Sequence, residues 1–93
     1  MRYGSAMGSV RVLYFAGLRD AIGRSEETVE LAADATTGAT TVADLCAELA
    51  SRHPAYAERR DHVRVARNEA FADAGETLAD GDVVALIPPV AGG

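Results

Sequence analysis

Residues 83–89 read Val-Val-Ala-Leu-Ile-Pro-Pro, and this stretch decides the fold. Its five successive apolar residues, mostly β-branched, predict a strand covered on both faces, which is typical of the interior of a sheet. Pro88 and Pro89 end that strand because proline has no N–H to give to a neighbouring strand. The turn sequence Asp-Gly-Asp at 80–82 comes directly before it. We therefore expect a central strand over 83–87 that leaves the sheet at the two prolines.

Four other stretches alternate apolar with polar residues or are rich in β-branched and aromatic residues, which indicates further strands. The predicted strands are Val10–Ala16, Glu27–Ala32, His62–Asn68 and Ala70–Ala72. Residues 17–23 are predicted as a loop with one helical turn that Gly23 closes. Asn68-Glu69 is predicted as the tight turn before the last and shortest of these strands, and 34–40 as a polar loop.

One amphipathic helix follows the second predicted strand. Thr41 and Asp44 have the spacing of a capping box, in which a hydroxyl and a carboxylate bind the free N–H groups of a helix start. An apolar stripe at helical spacing runs through Val42, Leu45, Cys46 and Leu49. Pro54 disfavours helical geometry in the residue before it, so the helix is predicted to end near Arg52 or His53.

This order of elements predicts an α+β fold. Two strands, a crossover helix, two more strands and a central last strand make a mixed sheet of about five strands with one main helix across one face, a β-grasp roll. The predicted parts are a disordered leader or cloning remnant at 1–9, the domain at 10–87 and a flexible tail at 88–93 that ends in Gly-Gly.

Composition excludes several classes of function. The chain has 93 residues, a net charge of -5, one cysteine and nine basic residues, all of them arginine. Without lysine the chain cannot form a lysine Schiff base or contain a phosphate-loop lysine. An acidic chain is also poorly suited to binding nucleic acid, which is itself negatively charged. No apolar run approaches the roughly 20 residues of a membrane helix. We expect a cytoplasmic protein with a reduced thiol and no partner among nucleic acids or membranes.

Side-chain catalysis and metal binding are not indicated. His53 and His62 lie at no metal-ligand spacing with Cys46, and Cys46 falls on the apolar helix stripe, so it is predicted to be a buried, inert thiol. We expect no metal site and no cofactor bound by this chain. The acidic residues Glu26, Glu27 and Glu30 are interpreted as a solvated strand face, and Arg59, Arg60, Arg64 and Arg67 as surface arginines.

The tail and an adjacent apolar patch are the best candidates for a functional site. Gly92 and Gly93 have no side chains, so a terminal carboxylate could enter a narrow channel, and 88–93 could reach about 20 Å when extended. By strand alternation Leu13, Phe15 and Ile87 lie on the sheet face away from the helix, where Phe71 could join them. Exposed apolar patches of this kind usually mark partner surfaces.

Three stretches carry a family resemblance: VRVLYFAGLRD at 10–20, VARNEAF at 65–71 and DGDVVALIPPVAGG at 80–93. They resemble the MoaD group, the molybdopterin synthase small subunits among the ubiquitin-like sulfur carriers. The resemblance implies that an E1-like adenylating enzyme uses ATP and Mg²⁺ to activate Gly93, and that a sulfurtransferase indirectly supplies the sulfur of a Gly93 thiocarboxylate. The synthase large subunit would then pass this sulfur to cyclic pyranopterin monophosphate.

The resemblance also implies roles for individual residues. Gly93 would carry the sulfur and be the reacting residue. The chain would be a subunit of a sulfurtransferase and would not be catalytic alone. Gly92, which has no side chain, would let the tail pass through a narrow channel. The expected partner-binding residues are Phe15, Phe71, Ile87, Pro88, Pro89, Val90 and Ala91. Alternatives remain open: carriers for thiamine thiazole, cysteine or tungsten-pterin synthesis, a ubiquitin-like protein modifier, and a plain interaction module with an idle tail.

Overall fold

The computed structural model describes residues 8–31 and 40–89. The strands are β1 (Ser9–Tyr14), β2 (Glu26–Glu30), β3 (Arg64–Arg67), β4 (Ala70–Phe71) and β5 (Val83–Ile87). The α-helices are α1 (Ala16–Ile22), α2 (Val42–Arg52) and α3 (Pro54–Arg59), and a 3-10 turn covers Arg60–His62.

The five strands form one mixed sheet in the order β2-β1-β5-β3-β4. β5 is central as predicted: it pairs parallel with β1 and antiparallel with β3. The parallel pair requires a long crossover, which the chain between the two strands provides. The predicted α+β architecture, with a mixed sheet and one main helix, is confirmed.

The core lies between α2 and one face of the sheet, which we call the closed face. The predicted helix stripe of Val42, Leu45, Cys46 and Leu49 is buried, and it packs with the buried strand residues Val10, Val12, Tyr14, Val84 and Leu86. The capping box is present as well: Asp44 N donates to Thr41 Oγ1 at 3.2 Å and Thr41 N donates to Asp44 Oδ2 at 3.0 Å. Helix start and helix face therefore both follow from local sequence.

Several boundaries differ from the predictions. β2 is Glu26–Glu30 instead of Glu27–Ala32, β3 is Arg64–Arg67 instead of His62–Asn68, and β4 ends one residue early, at Phe71. Three further differences lie at the start of the chain and around the first helix. β1 ends at Tyr14 instead of Ala16, because Ala16 takes a left-handed φ of 52° and the chain turns into α1. The expected single helical turn at 17–23 is a seven-residue helix, which Gly23 closes with a φ of 92°. Ser9 is the first residue of β1 instead of part of the leader, and the Gly8 carbonyl before it accepts a hydrogen bond from Leu31 N.

Helix α3 was not predicted. Pro54 ends α2, but its fixed φ and missing N–H also suit the first position of a helix, and α3 begins there. Tyr56 of this helix is buried in the core and Cys46 lies beside it. The same proline thus stops one helix and starts the next.

Candidate functional site

The end of β5 places the chain exit in the middle of one end of the sheet, because β5 is the central strand. Ile87 is the last strand residue, Pro88 is half-buried and Pro89 is exposed. Tyr14 pairs with Leu86, so Phe15, the residue directly after β1, lies at the same end of the sheet as Ile87. The predicted carrier and tail residues Val90, Ala91, Gly92 and Gly93 lie outside the described residues.

The sheet face away from α2, which we call the open face, carries an apolar groove of about 690 Å³. Its floor is formed by Ala66 and Ala85, which are register partners on β3 and β5. Larger apolar side chains line it on both sides, among them Leu13, Phe15, Phe71 and Ile87. The small floor residues turn the apolar patch expected from the sequence into a concave surface.

Both phenylalanines of the open face are well exposed. Phe71 has 63% of its surface accessible and Phe15 has 42%, which is unusual for aromatic residues of this size in a small domain. The structure therefore places Phe15, Phe71 and Ile87 around one groove, next to the prolines that end β5. An exposed apolar groove of this kind is typical of a partner-binding surface.

One charged side chain is held at this groove. The Arg64 guanidinium lies 4.2 Å from the centre of the Phe71 ring, in a cation–π contact. Arg64 is the register partner of Ile87, so it lies at the end of the groove where the chain leaves the sheet. Glu69 lines the opposite end, near Val83.

The predicted tight turn between β3 and β4 is present. Both of its residues, Asn68 and Glu69, have positive φ, as a two-residue hairpin turn of type I′ requires.

The start of β5 is fixed by a polar cluster around Asp82. Its carboxylate accepts hydrogen bonds from Arg67 Nε at 2.8 Å, Asn68 Nδ2 at 3.0 Å and the Ala79 N–H at 2.8 Å. The Arg67 bond, with the other donors, lowers the pKa of Asp82 to about 2. Arg67 was interpreted from sequence as a surface arginine, but its side chain joins β3 to the start of β5 through the bond to Asp82.

Glu27 corrects another sequence interpretation, because its side chain is largely shielded, with 9% of its surface exposed, instead of solvated. Its carboxylate accepts a hydrogen bond from the Tyr14 hydroxyl, lies 2.6 Å from His53 Nε2 and also contacts Arg24 and Arg52. Burial alone would raise the pKa of Glu27, but the Tyr14 and His53 hydrogen bonds hold it below its usual value. Burial and the bond to Glu27 raise the pKa of Tyr14. The inward position of Glu27 could have been found from strand alternation, since Glu27 shares a face with Val29.

Neither Glu27 nor Arg67 faces the groove, although Asn68, which donates to Asp82, lines it. Glu27 pairs with Val12 in the sheet and Arg67 pairs with Val84, so both clusters lie at edges of the closed face. Cys46 is buried, as predicted. Within the two described ranges, no helix has the length and apolar character to cross a membrane. The groove and the β5 exit are thus the best candidate site of the described residues.

Comparison with known proteins decides the family, since residues 12–93 match the model of the ThiS family. The chain belongs to the ThiS family. This ThiS-family chain is 38% identical over 93 residues to the molybdopterin synthase sulfur carrier subunit of Chlamydomonas reinhardtii, covering 90% of this chain and 98% of that protein. It is also 38% identical over 87 residues to small archaeal modifier protein 1 of Haloferax volcanii, covering 85% of this chain and 94% of that protein.

The fold of this ThiS-family chain matches a solved structure as well. The crystal structure of SAMP1 from Haloferax volcanii aligns with a TM-score of 0.77 at 37% identity, covering 92% of this chain and 100% of that chain. The resemblance to the molybdopterin synthase carriers and the predicted β-grasp fold are therefore confirmed.

Proposed function

We propose that this protein is the sulfur carrier subunit of a molybdopterin synthase and that the carboxylate of Gly93 is its reacting group. The family match extends to Gly93, and a molybdopterin synthase sulfur carrier subunit aligns over 98% of its length. The observation that carries the proposal is geometric: the central strand ends at Pro88 and Pro89 beside an exposed apolar groove. A docked partner would thereby receive the tail at a fixed place.

The chemistry begins with activation of the carboxylate, which is ionised at neutral pH and is a poor electrophile. A partner adenylating enzyme would join the Gly93 carboxylate to the α-phosphate of ATP, with Mg²⁺, and release pyrophosphate. The terminal sulfur of a persulfide would then displace AMP and form an acyl disulfide. A second thiol would cleave that S–S bond, leaving a Gly93 thiocarboxylate and a disulfide on the sulfur donor.

The carrier would next deliver its sulfur in a pocket of the synthase large subunit. There the thiocarboxylate would attack cyclic pyranopterin monophosphate, and water would later return Gly93 to a carboxylate. In this scheme Gly92 gives clearance, while Phe15, Phe71 and Ile87 dock the partners and Pro88 and Pro89 aim the tail. The partners would supply the groups that stabilise the transition states, so this chain needs no bound cofactor. A function that uses ATP and reduced thiols would be cytoplasmic.

Intact-mass analysis tests the proposal. We expect protein co-expressed with an adenylating enzyme and a sulfurtransferase to contain a species with one oxygen replaced by sulfur. Oxidation of Met1 or Met7 adds nearly the same mass, so fragment spectra must place the change on Gly93. A matched variant lacking Gly92 and Gly93 should show no such species. Finding only carboxylate under active conditions would contradict the proposal.

A ubiquitin-like modifier is the second candidate, and one relative favours it: small archaeal modifier protein 1 is as similar in identity as the synthase subunit. In that case Gly93 would be joined to lysines of other proteins, and cells would contain a ladder of conjugates linked through it. Deleting Gly93 would abolish the ladder. Absence of conjugates together with sulfur loading would favour the carrier.

Carriers for other pathways keep the same activation chemistry and differ only in the acceptor of the sulfur. Thiocarboxylated protein should therefore be offered to the large subunit with cyclic pyranopterin monophosphate, and separately to the thiazole and cysteine pathway enzymes. We expect loss of sulfur from Gly93 only in the first mixture. Loss in one of the others would reassign the pathway but not the carrier chemistry.

A further inference from the structure

Arg64 differs from the other arginines in its partners. Six arginines have a carboxylate within 3.9 Å, namely Arg11, Arg19, Arg24, Arg52, Arg59 and Arg67. Arg60 instead interacts with the hydroxyl of Tyr56. Among the arginines of residues 8–31 and 40–89, Arg64 alone has neither kind of partner, and its contact is the Phe71 ring.

The cation–π contact with Phe71 positions the Arg64 guanidinium, whose donors have no hydrogen-bond partner among the described residues. A guanidinium stacks through its face, which leaves the N–H groups at its edge available for a carboxylate in a two-bond geometry. The side chain is also exposed and next to Ile87. Arg64 is therefore a positioned cation with open donors at the exit end of the groove.

A partner that covers Phe71 and Ile87 would also remove water from Arg64. Burying a charge without a counter-charge is costly, because the interior does not replace the lost hydration. A purely apolar partner surface would therefore dock poorly here, whereas a surface with one acidic side chain among apolar ones would satisfy both groups. Arg64 would then discriminate between partners as well as bind them.

We propose that Arg64 selects the docked protein by pairing with an aspartate or glutamate side chain that is surrounded by apolar residues. The inference rests on the proposed function, because it takes the groove as the docking face. Glu69 lies at the opposite end of the groove, so the face has a positive and a negative end. The matching partner surface has its acid near the tail entrance and a basic residue at the far end.

Binding measurements with the purified molybdopterin synthase large subunit of the same organism as the probe test this assignment. We expect Arg64→Leu to weaken binding at least about tenfold and to reduce its salt dependence, because a partner carboxylate stays buried and unpaired. Arg59→Leu removes the same charge from α3, on the other side of the sheet, and should change the affinity less than about twofold. If Arg64→Leu binds as well as wild type or better, the groove recognises apolar surface alone and the assignment is overturned.

A charge swap tests the polarity of the groove at constant net charge. The double variant Arg64→Glu with Glu69→Arg should bind at least as weakly as Arg64→Leu, and an acidic-to-arginine variant of the partner should restore part of the binding to Arg64→Glu. Unchanged affinity of the double variant would overturn the polarity. If wild type itself forms no complex, the proposed function fails; if wild type and Arg64→Leu bind equally, only the role of Arg64 fails. Circular dichroism checks that each variant is folded.

Discussion

The two faces of the sheet are formed by the same strands but differ in the burial of their side chains and in the pairing of their charges. On the closed face Val12, Val84 and Leu86 are fully buried, and the charges at its edges, Glu27 and Asp82, are each held by several donors. On the open face two phenylalanines are exposed, and Arg64 has no acidic partner among the described residues. Side chains alternate between the two faces along a strand. Neighbouring residues of one strand therefore have different roles: one stabilises the core and the next is available to bind a partner.

The sharpest test of this comparison is at adjacent residues of β5. Leu86→Ala should lower the free energy of unfolding by about 3 kcal/mol, because it leaves a cavity in the core. Ile87→Ala, on the open face, should cost less than about 1 kcal/mol. Urea denaturation followed by circular dichroism gives both values. Equal losses would mean that the two faces do not differ in their contribution to folding.

The edge of the closed face can be tested at Glu27. Glu27→Gln should cost about 2 kcal/mol, because Tyr14 and His53 lose a charged acceptor inside the fold. Glu30→Gln on the same strand is the matched control, since Glu30 is exposed on the other face, and it should stay within about 0.5 kcal/mol of wild type. A comparable loss in both variants would remove the special role of Glu27.

Asp82 gives the closed face a pH dependence. Asp82→Asn should cost about 1.5 kcal/mol at neutral pH, through weaker bonds to Arg67 and Ala79. Because the pKa of Asp82 is lowered to about 2 in the fold, its contribution is complete above the ordinary value of 3.8 and is lost as pH falls toward 2. The difference between wild type and variant should therefore shrink over that range. A constant difference down to pH 2 would refute this role.

The smallest effect on folding is expected on the open face, together with a large effect on binding. Phe15→Asp and Ile87→Asp should weaken binding to the large subunit, while the free energy of unfolding changes by less than about 1 kcal/mol. Calorimetric titration and thermal unfolding of the same samples measure both. Global unfolding of either variant would place these residues in the core instead of on a docking surface.

Most of the fold could be predicted because its signals are local. The apolar run of 83–87 indicated the central strand, and Thr41 with Asp44 indicated the helix start, since each pattern lies within a few residues. Helix α3 was missed because Pro54 was interpreted only as a stop, although it also suits a helix start. Gly8 and Ser9 were assigned to the leader, because their contacts with Leu31 and Asp80 are distant in sequence.

The candidate site was predictable in part for the same reason. Alternation along β1 and β5 placed Phe15 and Ile87 on one face, and the sheet register confirms that placement. Their role in binding a partner stays a prediction. The groove itself was not predicted, because its floor depends on Ala66 and Ala85 becoming neighbours across two strands. The burial of Glu27 was missed because His53, its partner, lies 26 positions away. The roles of Gly92, Gly93, Val90 and Ala91 stay predictions.

Transfer of sulfur from the tail measures the central claim most directly. Protein with a Gly93 thiocarboxylate should be mixed with the large subunit and cyclic pyranopterin monophosphate, and its mass followed with time. The account predicts that the mass returns to that of the carboxylate. An Ile87→Asp variant whose thiocarboxylate is made chemically, without the adenylating enzyme, should return far more slowly while remaining folded. A thiocarboxylate that persists in the wild-type mixture, or an Ile87→Asp variant that transfers at the wild-type rate, would contradict it.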